Sequence, residues 1–208
     1  MTDAPTRVLI VDDHPVLRAG VRALLEDRTD IIPIGEASNG EEAIESFRRL
    51  RPDVVLMDLR MPGTNGLDAI VAIRDEHPDA RVIVLTTYQG DTQAVRALKA
   101  GAMGYLLKSG LRTELADAII NVHRGRRHVH RDVAGEIASH VGDQPLSERE
   151  VAIIRLVADG KANKQIGASL HMSEATVKGH LKSIFAKLHV ADRTHAVTVA
   201  VRRGIIDI

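Results

Sequence analysis

Five side chains with useful chemistry stand at the ends of short hydrophobic runs in the first half of the chain. They are Asp12, Asp13, Asp58, Thr86 and Lys108. Three carboxylates brought close together would repel one another and raise one another's pKa unless a cation joined them. Mg²⁺ prefers oxygen ligands of this kind, so the pattern predicts a Mg²⁺ site. Such a site suits transfer of a phosphoryl group to a carboxylate, with Asp58 as the acceptor.

Each of these residues also has an ordinary interpretation when it is taken alone. Asp58 could cap the turn that follows it, Thr86 could be a plain strand residue, and Lys108 could be a solvated strand end. Taken together, the Lys108 ammonium would balance charge on an incoming phosphoryl group, and the Thr86 hydroxyl would donate to a product oxygen. The choice between the two interpretations depends on whether the fold brings the five side chains together.

The hydrophobic pattern predicts the elements that would position them. Runs rich in Val, Ile and Leu precede the acids, the threonine and the lysine, and amphipathic helical patterns separate these runs. Five strands alternating with five helices indicate an α/β domain with a parallel sheet covered on both faces. Pro33 cannot donate to a central ladder, so strand 31–37 should lie at an edge, which fits the order 2-1-3-4-5. In that order the functional strands are neighbours, and the five side chains converge at one end of the sheet.

The composition restricts what else the chain can be. Its 208 residues include no cysteine, which excludes a disulfide framework, a thiolate zinc site and a thiol nucleophile. No apolar run approaches a membrane span and the N-terminus lacks a signal-peptide layout, so we expect a cytoplasmic protein with no membrane partner. Residues 1–125 carry 15 Lys and Arg against 19 Asp and Glu, and residues 126–208 carry 13 against 9. The positive second half suggests a polyanionic partner.

The motifs at the strand ends resemble the receiver domain of two-component response regulators over residues 5–125. The resemblance is carried by VDDH at 11–14, MDLRMPG at 57–63, LTT at 85–87 and GYLLK at 104–108. It implies a flavodoxin-like (βα)5 domain in which Asp58 takes a phosphoryl group from a partner histidine kinase. It also implies a set of metal ligands and a switch pair. The ligands would be Asp12, Asp13, Asp58 and the backbone carbonyl of Arg60, and the switch pair would be Thr86 and Tyr105.

One position departs from the receiver pattern. Many receivers have proline after the lysine, whereas this chain has Ser109. A cis bond before a residue other than proline costs about 3 kcal/mol. Either the Lys108–Ser109 bond is trans and the loop is rebuilt, or the contacts of the lysine hold a strained bond. The reach of Lys108 into the site depends on which alternative holds.

Residues 126–145 are polar and weakly periodic, which predicts a linker with a helical turn or two around residues 133–140. His123, His128 and His130 could form a metal cluster, but without a nearby carboxylate pattern or cysteine we expect solvated linker histidines. The predicted domains are therefore an α/β domain over 1–125, the linker, and an all-α domain over 146–208.

A short helix, a tight turn and a longer capped helix follow one another in the last domain, which is the order of a helix-turn-helix motif. Lys178 and Lys182 lie on one face of the longer helix, where they could reach base edges or phosphates. A solvated lysine face on an amphipathic helix is the alternative.

The sequence around this motif resembles the LuxR-type DNA-binding domain, and the whole chain resembles the NarL/FixJ class of regulators. The resemblance is carried by LSERE at 146–150, GKANKQIG at 160–167, MSEATVKGH at 172–180 and KLHVADRTHA at 187–196. It implies base-facing and phosphate-anchoring positions. The base-facing positions are Lys178, Gly179 and Lys182, and the phosphate anchors are Asn163, Lys164 and Thr176. Gly179 lies inside the predicted helix, where glycine costs about 1 kcal/mol relative to alanine. Because it has no side chain, the protein either reads one base fewer or lets Lys178 and Lys182 approach the DNA more closely.

Three functions from different classes follow. The first is a phosphorylation-controlled transcriptional regulator that binds double-stranded DNA as a homodimer through its last helix, with RNA polymerase as a candidate partner. The second is an aspartyl-phosphate phosphatase, although such enzymes use a second acid two residues after the nucleophile, where this chain has Arg60. The third is an adaptor whose second half serves dimerisation only. We expect the first, with no enzymatic activity beyond the receiver's own phosphoryl transfer and dephosphorylation.

Overall fold

The computed structural model describes the chain in three stretches, residues 4–87, 91–139 and 144–206. These residues form two compact units. The first unit comprises residues 4–87 and 94–134, and the second comprises residues 91–93, 135–139 and 144–206. The first contains a parallel sheet with flanking helices, and the second is helical.

The strands are β1 (Thr6–Val11), β2 (Ile31–Ala37), β3 (Val54–Asp58), β4 (Val82–Thr86), β5 (Gly104–Leu107) and β6 (His128–Val129). The helices are α1 (Pro15–Glu26), α2 (Gly40–Leu50), α3 (Gly66–Glu76), α4 (Asp91–Lys99), α5 (Leu111–His123), α6 (Arg131–Ser139), α7 (Glu148–Ala158), α8 (Asn163–Leu170), α9 (Glu174–Leu188) and α10 (Arg193–Arg202). A 3-10 turn over Lys108–Gly110 joins β5 to α5.

The strands form one parallel sheet in the order β2-β1-β3-β4-β5-β6. The predicted order of the first five strands is confirmed, and β2 lies at the edge as Pro33 requires. All residues of β3 and β4 are buried, because helices cover both faces of a parallel sheet. Val8, Ile10, Leu56 and Leu85 lie in one apolar cluster of this unit. The core thereby fixes the strands whose ends carry the functional residues.

The segment 126–145, predicted as a linker, contains more regular structure than we expected. β6 pairs with β5, with Gly104 opposite His128 and Tyr105 opposite Val129. The nine-residue helix α6 follows, near the place where a helical turn or two was expected around 133–140, of which residue 140 lies outside the described residues. The strand escaped prediction because two residues are too few to show an alternating pattern. The sheet therefore has one strand more than the pattern indicated.

The expectation that His128 and His130 are solvated linker histidines is wrong. His128 lies in β6, His130 directly follows the strand, and both side chains turn toward Glu114 on α5. His130 Nε2 lies 3.3 Å from Glu114 Oε1, and His128 Nε2 lies 3.9 Å from Glu114 Oε2. Their side chains are only 14% and 21% exposed. The carboxylate lies 14 residues before His128 in the sequence, so the local pattern around the histidines does not show it.

The second unit packs α7, α8, α9 and α10 around one apolar core, which confirms the predicted helical fold. Ser147 and Glu150 form a capping box at the start of α7, and the Ser173 side chain caps α9. α10 is apolar on more than one side because it packs against both α7 and α9. Ala196 and Ala200 are fully buried in this core.

None of the helices in the described part of the chain combines the length and apolar character needed to cross a membrane.

Candidate functional site

The ends of β1, β3 and β5 bring three of the predicted residues into direct contact. Lys108 Nζ lies 2.6 Å from Asp12 Oδ2 and 2.8 Å from Asp58 Oδ2. Asp12 is fully buried, Asp58 is buried, and the lysine side chain is 11% exposed. Asp13 follows Asp12 at the edge of the cluster, where 27% of its side chain is exposed. The two buried carboxylates therefore share one ammonium group.

The loop after β3 fixes the position of Asp58. The backbone N–H of Arg60 donates to Asp58 Oδ1 at 3.3 Å. The backbone N–H of Gly66 donates to the carbonyl of Leu59 at 3.2 Å, which folds the loop back onto the strand. A Cβ at Gly66 would lie 1.9 Å from the Asp58 carbonyl oxygen, so only glycine allows this approach.

Burial and ion pairing shift the pKa values of Asp58 and Lys108 in opposite directions. Burial raises the pKa of Asp58, the hydrogen bond and charge of Lys108 oppose the rise, and nearby Asp12 adds to it. Burial lowers the pKa of Lys108, but its pairing with Asp12 and Asp58 outweighs burial and raises the pKa. The site consequently holds a charged lysine beside a carboxylate whose charge is poorly solvated.

Thr86 and Tyr105 occupy neighbouring strands near the cluster. Thr86 ends β4 and is buried, and the ring of Tyr105 in β5 is fully buried. The register places Tyr105 opposite Val84, two residues before Thr86 on the same face. Burial raises the pKa of Tyr105 to about 12, against the opposing influence of the Thr86 hydroxyl. The proposed switch pair is therefore adjacent, with its aromatic ring turned inward.

The question raised by Ser109 has a definite answer in the structure. The Lys108–Ser109 bond is trans, since no cis peptide bond occurs in the described part of the chain. The 3-10 turn over Lys108–Gly110 takes the place of a cis turn. Lys108 still reaches both carboxylates, so the missing proline does not remove the lysine from the site.

His14, which was not among the predicted metal ligands, lies beside the three predicted carboxylates. Asp12, Asp13 and Asp58 form the cluster together with His14, each offering one donor atom within 4.8 Å of the others. His14 Nδ1 lies 2.7 Å from Asp13 Oδ1. The signal for His14 was its place directly after the two acids. The three carboxylates offer the oxygen donors that Mg²⁺ prefers, so these residues fit the predicted ion.

The predicted DNA-contacting residues lie on α8 and α9 of the second unit. Lys164, Thr176, Lys178, Gly179 and Lys182 are exposed, whereas Asn163 is half-buried.

Three of these six residues already have partners within the unit. The amide oxygen of Asn163 accepts from Arg193 Nη1 at 3.2 Å. Thr176 Oγ1 lies 2.8 Å from Ser173 Oγ, and Lys178 Nζ lies 3.0 Å from Glu174 Oε1. Lys164 on α8 and Lys182 on α9 are exposed, as cations that contact nucleic-acid phosphates must be.

Comparison with known proteins shows the family. The chain matches the family described as "Response regulator receiver domain" over residues 8–120 and the one described as "Bacterial regulatory proteins, luxR family" over residues 144–200. Transcriptional regulatory protein LiaR of Bacillus subtilis (strain 168) is 41% identical over 209 residues, covering 97% of this chain and 99% of LiaR. The chain belongs to the response regulator family. Response regulator protein VraR of Staphylococcus aureus (strain NCTC 8325 / PS 47) is 36% identical, covering 96% of this chain and 98% of VraR.

Solved response regulators match this chain over nearly its whole length. The response regulator ChrA of a heme-sensing two-component system is 39% identical, with a TM-score of 0.59 over 98% of this chain and 100% of ChrA. Salmonella typhimurium RcsB is 27% identical, with a TM-score of 0.73 over 94% of this chain and 99% of RcsB. A complex of RcsB with DNA gives the same TM-score over 95% of this chain and 98% of RcsB. This chain is thus a two-component response regulator with a receiver and a luxR-family domain.

The response regulator also contains a buried polar network in its luxR-family domain that sequence patterns did not show. Glu150 accepts from Ser183 Oγ at 2.7 Å and from Lys187 Nζ at 2.8 Å. The backbone N–H of Ser147 donates to the same carboxylate at 2.8 Å. Burial alone would raise the pKa of Glu150, but Lys187 and the hydrogen bonds outweigh it and lower the pKa to about 2. The network ties the first turn of α7 to α9.

Proposed function

We propose that Asp58 accepts a phosphoryl group from a histidine kinase, and that phosphorylation changes dimerisation and DNA binding by the luxR-family domain. The observation that carries this proposal is the shared ion pair of Lys108 with Asp12 and Asp58 at the ends of neighbouring strands. A buried carboxylate beside a fixed ammonium is a nucleophile whose environment can accept more negative charge.

In the proposed reaction an Asp58 oxygen forms a bond to phosphorus while the nitrogen–phosphorus bond of the donor phosphohistidine breaks. The freed imidazole nitrogen keeps the electron pair and takes up a proton from solvent. Lys108 remains charged and balances the added negative charge, and the Thr86 hydroxyl donates to a phosphoryl oxygen. Hydrolysis of the same acyl phosphate would return Asp58 to its carboxylate form, and this is the only turnover that we propose.

Asp12, Asp13, Asp58 and the backbone carbonyl of Arg60 would hold the divalent cation, which we propose to be Mg²⁺. Bound there, Mg²⁺ supplies shielding of charge on the phosphoryl oxygens. The exposed edge of this cluster is formed by Asp13, whereas Asp12 and Asp58 are buried. The residues thus offer oxygen donors at an open edge of the sheet, as a cation that keeps several waters requires.

The second unit would carry out the response to phosphorylation by binding DNA. We propose that Lys178, Gly179 and Lys182 face the bases and that Asn163, Lys164 and Thr176 anchor phosphates of double-stranded DNA. The receiver domain, predicted as 1–125, would extend through β6 to about residue 134, and the DNA-binding domain would comprise residues 146–208. A homodimer on paired half-sites, with RNA polymerase as a further partner, matches a regulator of this family. Because a kinase and chromosomal DNA are its proposed partners, the protein would act in the cytoplasm.

Beryllofluoride with Mg²⁺, which imitates a phosphoryl group on aspartate, tests this proposal with the full-length protein. We expect it to promote dimerisation and to strengthen binding to the DNA upstream of the protein's own gene by roughly tenfold, a usual coupling between two sites. Sedimentation and footprinting would measure the two effects. Asp58→Asn should show neither effect. Unchanged dimerisation and DNA affinity in the wild type, or an equal response in Asp58→Asn, would contradict the proposal.

A phosphatase or an adaptor would give different results. Sustained turnover of a generic phosphate ester would favour the phosphatase, although Arg60 stands where such enzymes carry their second acid. Failure to bind duplex DNA at any salt concentration would favour the adaptor. The regulator should bind DNA with an affinity that falls as salt rises, because each lysine that neutralises a phosphate releases counterions.

A further inference from the structure

The imidazole of His14 faces the carboxylates to which the proposed function assigns the divalent cation. His14 Nδ1 lies 2.7 Å from Asp13 Oδ1 and 3.2 Å from Asp12 Oδ1. Neighbouring donors around one Mg²⁺-sized ion, with bonds of about 2.1 Å at right angles, lie about 3.0 Å apart. The imidazole nitrogen contacts both oxygens directly, at hydrogen-bond distances that three donors around one such ion could keep.

The backbone holds His14 in this position. It is the N-cap residue of α1 with an extended conformation, and Pro15 after it restricts that conformation further. Its backbone N–H donates to Asp12 Oδ1 at 2.9 Å. The side chain itself is 70% exposed, so it can exchange a carboxylate partner for a cation without opening the core.

The two oxygens of Asp12 have different neighbours. Oδ2 pairs with Lys108, whereas Oδ1 faces the His14 imidazole and backbone N–H. Asp58 likewise presents Oδ2 to the lysine and Oδ1 to the Arg60 N–H. The imidazole therefore lies on the side of the cluster that the lysine does not occupy.

We propose that His14 is a ligand of the divalent cation and that it shifts the preference of the site from Mg²⁺ toward metals that favour nitrogen donors. Mg²⁺ is bound by oxygen, whereas imidazole binds Ni²⁺ and other transition metals well, and Mn²⁺ accepts both donor types. This inference rests on the proposed function, because it concerns the same cation site. It adds a ligand and a selectivity that the three carboxylates do not provide.

Metal binding by the full-length protein tests the inference without any activity assay. Calorimetry would give the affinities for Mg²⁺, Mn²⁺ and Ni²⁺ in the wild type, in His14→Gln and in His14→Ala. We expect both variants to lose roughly tenfold or more in Ni²⁺ affinity, since even a residue that only holds a metal ligand in place contributes that much, and to bind Mg²⁺ within about twofold of wild type. His195→Gln, at an exposed histidine of α10, is the matched control and should change neither affinity.

Pulsed electron paramagnetic resonance of bound Mn²⁺ gives a second, direct measurement. The wild type should show hyperfine coupling to a directly bound imidazole nitrogen, and His14→Gln should lose it. Absence of this coupling in the wild type, or an equal loss of Mg²⁺ and Ni²⁺ affinity in both variants, would overturn the inference.

The same titrations separate this inference from the proposed function. One Mg²⁺ bound in the wild type and lost in Asp13→Asn, with no effect of His14, would leave the proposed site intact and reject only the role of His14. A wild type that binds none of the three metals would reject both.

Discussion

Asp58 is a carboxylate in surroundings that disfavour its charge. Burial raises its pKa above the unfolded value of 3.8, and Lys108 offsets only part of the rise. The folded protein therefore binds the proton more tightly than the unfolded chain does. Stability is greatest below pH 3.8 as far as this group is concerned, and it falls as the pH rises through the folded pKa. At neutral pH the reactive residue costs the fold free energy.

Replacing Asp58 with asparagine should accordingly stabilise the protein at neutral pH. We expect the free energy of unfolding to rise by on the order of 1 kcal/mol, within the usual range for a single substitution. Urea unfolding at pH 7 and again near pH 4 measures the effect, and the gain should shrink at the lower pH. Asp75→Asn on the exposed side of α3 is the control and should change stability little. A less stable Asp58→Asn at pH 7 would mean that the ion pair with Lys108 outweighs burial.

The pKa of Glu150 shifts in the opposite direction from that of Asp58, because pairing with Lys187 and hydrogen bonds outweigh burial. Its folded pKa of about 2 lies below the unfolded value of 4.5, so its contribution to stability is present above pH 4.5 and is lost as the pH falls toward 2. Glu150→Gln should cost on the order of 2 kcal/mol at neutral pH, since it leaves Lys187 without its buried partner. Thermal unfolding measures the loss. Glu148→Gln, exposed in the same helical turn, should cost much less, and equal losses would contradict the role of the network.

The glycines of α8 and α9 have unlike surroundings although both lie in helices. Apart from its chain neighbours and the backbone of its own helix, no atom of the described residues lies within 4 Å of a Cβ built at Gly179. A Cβ built at Gly167 would lie 2.6 Å from the Met172 carbonyl oxygen. Gly179→Ala should therefore stabilise the protein by about 1 kcal/mol, and Gly167→Ala should destabilise it by about 1–3 kcal/mol. Chemical unfolding of the two variants gives the comparison.

The Gly179→Ala variant also tests the role of Gly179 in DNA recognition. If Gly179→Ala is more stable but binds DNA more weakly, the glycine serves close approach of the lysines. Unchanged DNA affinity would mean that the position does not contact the bases. Destabilisation by Gly179→Ala would contradict the open surroundings that the structure gives this residue.

The elements that carry the site were predictable because each one follows a repeating pattern. Buried parallel strands such as β3 are continuous apolar runs, so their ends, and with them Asp58 and Lys108, could be located from the sequence. Pro33 placed β2 at the edge, which the structure confirms.

The residues that escaped prediction depend on contacts between distant parts of the chain. Glu150 and Lys187 are 37 residues apart, and β6 is too short to have a period. Glu114 meets His128 only because β6 pairs with β5 and places the histidine beside α5. The residue pattern within a single helix or strand cannot show such contacts.

The extent of the receiver domain is the remaining question about the whole molecule. We predicted that the domain ends at residue 125, but β6 continues the sheet beyond it. The His128 N–H donates to the Met103 carbonyl at 3.0 Å, and the His130 N–H donates to the Tyr105 carbonyl at 2.9 Å. Val133, a few residues later, is fully buried. Without these residues β5 would be an exposed sheet edge, which favours association with other chains.

A fragment covering residues 1–134 should therefore be more stable than one covering residues 1–125. The longer fragment keeps the two backbone hydrogen bonds to Met103 and Tyr105 and the buried Val133, which together should add roughly 2 kcal/mol. Urea unfolding gives the stabilities, and sedimentation shows whether the shorter fragment associates through β5. Val133→Ala in the longer fragment is the matched variant and should remove part of the gain. Equal stability of the two fragments would place the end of the domain at residue 125 and reduce β6 to an accessory strand.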